Sequence, residues 1–190
     1  MPIKAIATGI IGVGLVFLTT SEGTLAQTGA AAKKEIQRGE YLVGYAGCND
    51  CHSPKLDTPN GPVPDKSRLL SGFPANTQLP PLPADAVGPG ANQWGAITNS
   101  DLTAWAGPWG VSFAANLTPD QQTGIGSWTA ESFIKTIRIC KHLGVGRPVL
   151  PPMPCADIAV LTDQDLKAVF AYLKSLKPIR NQVPVPIPPK

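Results

Sequence analysis

The sequence is poor in the side chains that most often carry chemistry. Its 190 residues include two histidines, His52 and His142, and two methionines, Met1 and Met153. Charged residues make up 15% and aromatics 6%, with a formal net charge of +3. No cluster of lysines or arginines occurs, which excludes a nucleic-acid-binding stripe. Internal repeats are absent as well. The apolar run from Ala5 to Phe17 falls short of the ~20 residues that a membrane span needs. What is abundant is proline (21) and glycine (19). Such a chain is expected to form much loop and little sheet, with a cofactor replacing part of the missing core.

Against that scarcity, Cys48-Asn49-Asp50-Cys51-His52 gathers two thiols and an imidazole within five residues. The order C-x-x-C-H is that of a c-type heme attachment site. Positions i, i+3 and i+4 of a helical turn project from one face. Cys48 and Cys51 can therefore add to the two vinyl groups of one porphyrin while His52 reaches its iron. One such motif implies one heme c.

Residues 1–26 have the layout of a secretory leader. A single early charge, Lys4, precedes the apolar run, and small residues follow up to Thr24-Leu25-Ala26. Cleavage after Ala26 places the mature protein in the periplasm. An uncleaved leader would instead be a membrane anchor, and contact with a membrane is otherwise expected only through partners. Residues 27–32 are small and polar and read as a flexible N-terminus. Residues 33–180 read as one domain, and residues 181–190 as an extended, proline-rich tail.

Within the domain, Ile36, Gly39, Leu42, Val43 and Ala46 recur at helical spacing from Lys33 onward. Gly39 costs a helix about 1 kcal/mol against alanine, which asks for a close approach by another backbone. Gly47 ends this helix just before the motif. A second helix starts at a Thr129 cap, with Trp128 and Phe133 placed as a hydrophobic staple. A C-terminal helix starts at Thr162, with Asp165 placed to complete a capping box, and buries Leu166, Val169, Phe170, Leu173 and Leu176. Pro178 lies just beyond it. Residues 53–127 show little periodicity. Their aromatics Trp94, Trp105, Trp109 and Phe113 argue for an ordered wrap over the porphyrin edge rather than disorder, with a short helix near Ser100–Ala106.

A heme held by His52 keeps an open sixth position unless the chain fills it. Met153 sits in Pro151-Pro152-Met153-Pro154, where three prolines forbid helix and stiffen the backbone. That suits a loop presenting a thioether to iron, and Met/His ligation raises the reduction potential. The competing reading of Met153 is a core gap-filler. His142 is the rival ligand, and a bis-histidine site would lower the potential.

These features together resemble a class I cytochrome c: an N-terminal helix, C-x-x-C-H, a late methionine loop, and a C-terminal helix containing Ala171-Tyr172-Leu173-Lys174. The stretches Gly107 to Asp120, Thr123 to Trp128 and Pro151 to Pro154 are similar to bacterial monohaem cytochromes related to cytochrome subunits of periplasmic dehydrogenases. The resemblance covers about residues 35–186. It implies a mostly α fold in which the N- and C-terminal helices cross near Gly39 and Val169–Tyr172, with a long Pro/Gly-rich loop insertion wrapping the heme. It further implies Cys48, Cys51, His52 and Met153 as heme-binding residues, with iron held by His52 and Met153. Trp128 is expected to donate its indole N–H to a propionate, to staple Phe133, or both.

Cys140 and Cys155 depart from the pattern, which has a glycine and an aromatic near those positions. In an exported protein two leftover cysteines favour a disulfide; the alternative is a pair of buried thiols. Pro62 or Pro64 either offers a carbonyl to the second nitrogen of His52 or serves as plain turn chemistry. Arg138 and Arg147 are either propionate partners or solvated surface charge.

The function expected is one-electron transfer, from a periplasmic dehydrogenase to another cytochrome or a terminal oxidase. Two other classes compete with it. A heme enzyme would need a labile sixth ligand and an acid or base beside it. A zinc or dithiol site would join Cys48 and Cys51 to Cys140 and Cys155, or Cys48 and Cys51 would form a C-x-x-C redox pair; both leave His52 and Met153 unexplained. A cytochrome subunit of a dehydrogenase complex is the nearer alternative to a free carrier.

Overall fold

The computed structural model describes residue 1 and residues 22–83 and 85–189; the expected leader falls mostly on residues 2–21, outside them. Among the described residues, five α-helices, one 3₁₀ turn and two small antiparallel sheets form a mixed architecture rather than a mostly α one. Helix α1 spans Glu22–Tyr45, α2 Cys48–His52, α3 Ala130–Ile139, α4 Cys155–Ile158 and α5 Asp163–Ser175. Strands β1 (Lys55–Leu56) and β2 (Val63–Pro64) form one sheet, and β3 (Ile97–Thr98), β4 (Ala104–Gly107) and β5 (Gly110–Phe113) form the other. Among the described residues, no helix is long and apolar enough to cross a membrane.

The first helix begins at Glu22, so residues 27–32, expected as a flexible terminus, are helical. Ala30, Ala31 and Ala32 are the best helix formers, and they carry the helix through Thr28 and Gly29 despite the poorer propensity of those two residues. At the other end of the chain, Thr162 Oγ1 accepts from the Asp165 amide at 3.1 Å and caps α5. The Asp165 carboxylate does not close the box; it pairs with Arg38 Nε of α1 at 2.8 Å. In α3 the box is complete, with Thr129 and Ser132 each satisfying the other's backbone amide.

Helices α1 and α5 pack directly against each other. A Cβ at Gly39 would run into the Ala168 carbonyl and the Tyr172 Cβ, so only glycine permits this approach. The core on this contact is Leu42 and Val43 of α1, Leu166, Val169, Phe170 and Leu173 of α5, and Phe133 and Ile137 of α3. Leu166 is wholly buried, a gain of roughly 1.5–3 kcal/mol for such a side chain. Ala46, at the end of the predicted stripe, is exposed. Arg138 is exposed at the surface, as expected of a solvated charge, but its guanidinium is engaged within the chain. Its guanidinium donates to the Ala159 and Leu161 carbonyls and pairs with Asp163, tying α3 to the start of α5.

The short helix expected near Ser100–Ala106 is a strand instead. Asn99 Oδ1 accepts from the Thr103 and Ala104 amides, a side-chain turn that reverses the chain into β4. Leu102 adopts φ 60° at its tip. Trp105 and Trp109 are half-buried around the hairpin, whereas Trp94 is exposed. The proline-rich tail is fastened to this sheet, with Val111 and Ile187 exchanging both backbone hydrogen bonds at 2.8 and 2.9 Å.

Behind the tail, Asn181 donates to the Ser71 and Phe73 carbonyls and accepts from the Ala75 amide. Asn116 is buried and donates to the Ile179 carbonyl and to Thr123 Oγ1.

Candidate cofactor-binding site

Gly47, at φ 63°, separates α1 from α2 and lets Cys48–His52 start a fresh turn of helix. The C-terminal carbonyls of so short a helix lack intrahelical partners. Lys55 supplies them: its ammonium donates to the carbonyls of Asn49 (2.9 Å), Asp50 (2.8 Å) and Ser53 (2.7 Å). Ser53, fully buried, donates to Asn49 Oδ1 and accepts from the Leu70 amide, fastening the motif to the following loop. The motif is thus fastened by the residues that follow it.

Cys48 and Cys51 are free thiols, both half-buried. Burial pushes the Cys48 thiol up to about 11, and burial with the nearby Asp50 carboxylate also raises Cys51. His52 is lowered, chiefly by burial, with a hydrogen bond to Ala115 acting the other way. Its Nδ1 lies 2.8 Å from the Ala115 carbonyl oxygen. The acceptor expected on Pro62 or Pro64 is therefore elsewhere, because those residues form the β1–β2 turn and strand while the segment after β5 lies against the motif. The Gly72 amide also donates to the His52 carbonyl at 2.8 Å.

With Nδ1 occupied by a backbone acceptor, Nε2 is the nitrogen left to coordinate iron. Two neutral thiols on the same helical turn have the chemistry for thioether attachment. This donor set fits a covalently held heme.

Met153 is half-buried and packs against the core cluster that also contacts Cys48, Leu117 and Trp128. It lines a cleft of about 440 Å³ together with Ile137, Val149 and Ala159. Two residues back, the Pro151 carbonyl accepts from Ser112 Oγ at 2.6 Å. Two residues on, Cys155 begins α4, and its sulfur lies 2.10 Å from that of Cys140 at the end of α3, with the Cα atoms 5.7 Å apart. Trp128 stands edge-on to His142, ring centroids 5.1 Å apart. His142 itself is exposed, in the 3₁₀ turn after α3. Arg147 donates to the adjacent Pro148 carbonyl.

Among the described residues, no group of three or more His, Cys, Asp or Glu is arranged to hold a metal ion. Cys140 lies against Cys155, whereas Cys48 and Cys51 are free, which removes the donor set of the four-cysteine zinc reading. Sequence reasoning missed Lys55, Ser112 and Ala115. A lysine four residues past Cys51 was the one visible hint, as a cation able to cap a short helix; the other two act through long-range contacts.

No protein-family model matches the chain. Similar curated proteins include the gluconate 2-dehydrogenase cytochrome c subunit of Pantoea cypripedii, 29% identical over 139 residues, which are 72% of this chain and 22% of that protein. The fructose dehydrogenase cytochrome subunit of Gluconobacter japonicus is 28% identical over 163 residues, 83% of this chain and 26% of the relative. The cytochrome c subunit of the quinone alcohol dehydrogenase of Gluconobacter oxydans (strain 621H) is 38% identical over 82 residues, 42% and 16% of the two chains. The matched region spans about a quarter or less of each of these relatives. The resemblance drawn from the motifs holds: the chain is similar to cytochrome c subunits of dehydrogenases.

Proposed function

We propose that this chain is a periplasmic electron-transfer protein of class I cytochrome c type, carrying one heme c. The observation that carries the reading is the motif helix itself, with Cys48, Cys51 and His52 on one turn and His52 Nδ1 engaged by the Ala115 carbonyl. Cys48 and Cys51 would hold the porphyrin through their sulfurs, His52 Nε2 and the Met153 thioether would hold the iron, and Trp128 would contribute a hydrogen bond to a propionate. When bound, heme supplies a site that accepts or releases one electron. The chain's own part is to fix the imidazole through Ala115, to hold the motif through Lys55 and Ser53, and to leave no coordination position for substrate.

The Pro/Gly-rich segment 53–127 would cover the porphyrin edge and keep water from it. A Cys140–Cys155 disulfide would close the loop that contains Met153. The relatives are subunits of dehydrogenases, so a dehydrogenase is the natural electron donor, and a second cytochrome or a terminal oxidase the acceptor. The same relatives favour a second arrangement, in which this chain is itself the cytochrome subunit of such a complex rather than a free carrier.

The test is a reductive titration of the purified holoprotein together with ligand binding. One electron per chain and slow, weak binding of cyanide and carbon monoxide are expected. Rapid binding of either ligand to the unmodified protein points instead to a labile sixth position and a heme enzyme.

A further inference from the structure

A loop built from prolines has few means of fixing itself. Pro151, Pro152 and Pro154 have no N–H to donate, so the segment around Met153 depends on donors supplied from elsewhere. One of them is Ser112, in the middle of β5 and 7% exposed. Its hydroxyl carries one proton. Trp109 Nε1 donates to Ser112 Oγ at 3.2 Å, occupying an acceptor position. Of the two carbonyls within reach, Pro151 lies at 2.6 Å and Trp105 at 3.4 Å, so the proton belongs to Pro151.

Ser112 is also well held. Its neighbour Val111 pairs with Ile187 of the tail on one edge and with Ala106 of β4 on the other. Three residues further on, the same extended segment presents the Ala115 carbonyl to His52. One stretch of backbone, residues 111–115, therefore touches both the motif histidine and the methionine loop, 39 residues away from Pro151 and 63 from His52 in sequence.

We propose that Ser112 is a positioning residue for the Met153 loop. Its hydroxyl fixes the Pro151 carbonyl, and Trp109 orients that hydroxyl, so that the Met153 thioether is presented firmly rather than transiently. This rests on the reading of Met153 as the sixth ligand.

The experiment compares unmodified holoprotein with Ser112→Ala and Ser112→Thr, reading the weak red absorption of Met–iron ligation and the rate of carbon monoxide binding to the ferrous form. Ser112→Ala is expected to weaken the red band and speed carbon monoxide binding about tenfold, the order of one lost hydrogen bond. Ser112→Thr, which keeps a hydroxyl, is expected to restore both. Should Ser112→Ala not fold, Ser112→Cys, whose S–H donates weakly, gives the same readout.

A variant that is less stable to heat yet keeps the unmodified band and binding rate overturns the proposal, because Ser112 then serves folding alone. Loss of the band without rescue by threonine overturns it too. A Met153→Ala control distinguishes failure of the underlying reading: if its spectrum equals that of the unmodified protein, Met153 is not the ligand and the Ser112 proposal falls with it.

Discussion

His52 Nδ1 is hydrogen-bonded to the carbonyl oxygen of Ala115 at 2.8 Å, across 63 residues of sequence. A backbone acceptor fixes the ring's tautomer and orientation without depending on any side chain. The Ala115 side chain is exposed, so its identity carries no information about this role. The same segment reaches the methionine loop through Ser112. Both sides of the proposed iron site are thus referred to one stretch of backbone, β5 and the two residues after it, which is in turn pinned by the tail at Ile187.

Replacing Met153 with alanine should abolish the weak red absorption of Met–iron ligation and lower the reduction potential, since thioether ligation raises it. Visible spectroscopy and a potentiometric titration check this. An unchanged spectrum would transfer the ligand role to His142, which lies exposed after α3.

Gly39→Ala should destabilise the fold while leaving the heme spectrum of the folded fraction unaltered. The added methyl meets the Ala168 carbonyl and the Tyr172 Cβ, and overpacking of this kind costs about 1–3 kcal/mol. Thermal denaturation should show a fall of roughly 2–4 °C for each kcal/mol in a chain of this size. No change would mean that α1 and α5 cross elsewhere.

Asp65 makes stability depend on pH in the acid range. Hydrogen bonds from the Ser67 hydroxyl, the Arg68 guanidinium and the Ser67 amide hold its carboxyl down at about 2. A carboxyl depressed on folding contributes stability that is complete above its unfolded value, about 4, and that disappears as pH falls through about 2. Asp65→Asn should therefore lower the urea midpoint at pH 7 and make progressively less difference between pH 4 and pH 2. A difference that stays constant over that window contradicts the assignment.

The Cys140–Cys155 bridge should appear in a non-reducing peptide map as one cross-linked pair, with Cys48 and Cys51 absent from it. A double Cys140→Ser, Cys155→Ser variant releases a loop with a sequence separation of 15, for which the chain-entropy model gives about 3 kcal/mol. Chemical denaturation measures the loss. Two free thiols at these positions in the purified protein would remove the bridge from the account.

Much of this architecture is legible in residue order because it is local. The Thr129 and Thr162 caps, the apolar face of α5 and the motif turn all depend on spacings of a few residues. Gly39 was readable because a glycine inside a good helix has a cost that only a close neighbour justifies. The strand at Ala104–Gly107 was not, since an Asn99 side chain turning the backbone overrides a weak helical pattern. Nor was the acceptor of His52: a carbonyl leaves no trace in sequence, and Pro62 and Pro64 were nearer in the chain. Asp165 was assigned to a capping box by its position and is instead claimed by Arg38 from another helix. Contacts that span the chain, such as Ser112 to Pro151, are decided by packing that no local window contains.

The central claim is that Cys48 and Cys51 carry one covalently attached heme with His52 on its iron. Protein purified from cells competent for cytochrome maturation, denatured and extracted with acid acetone, tests it most directly. One heme per chain should stay with the polypeptide, on a peptide containing Cys48 and Cys51. Colourless protein, or heme that passes wholly into the acetone, would contradict it.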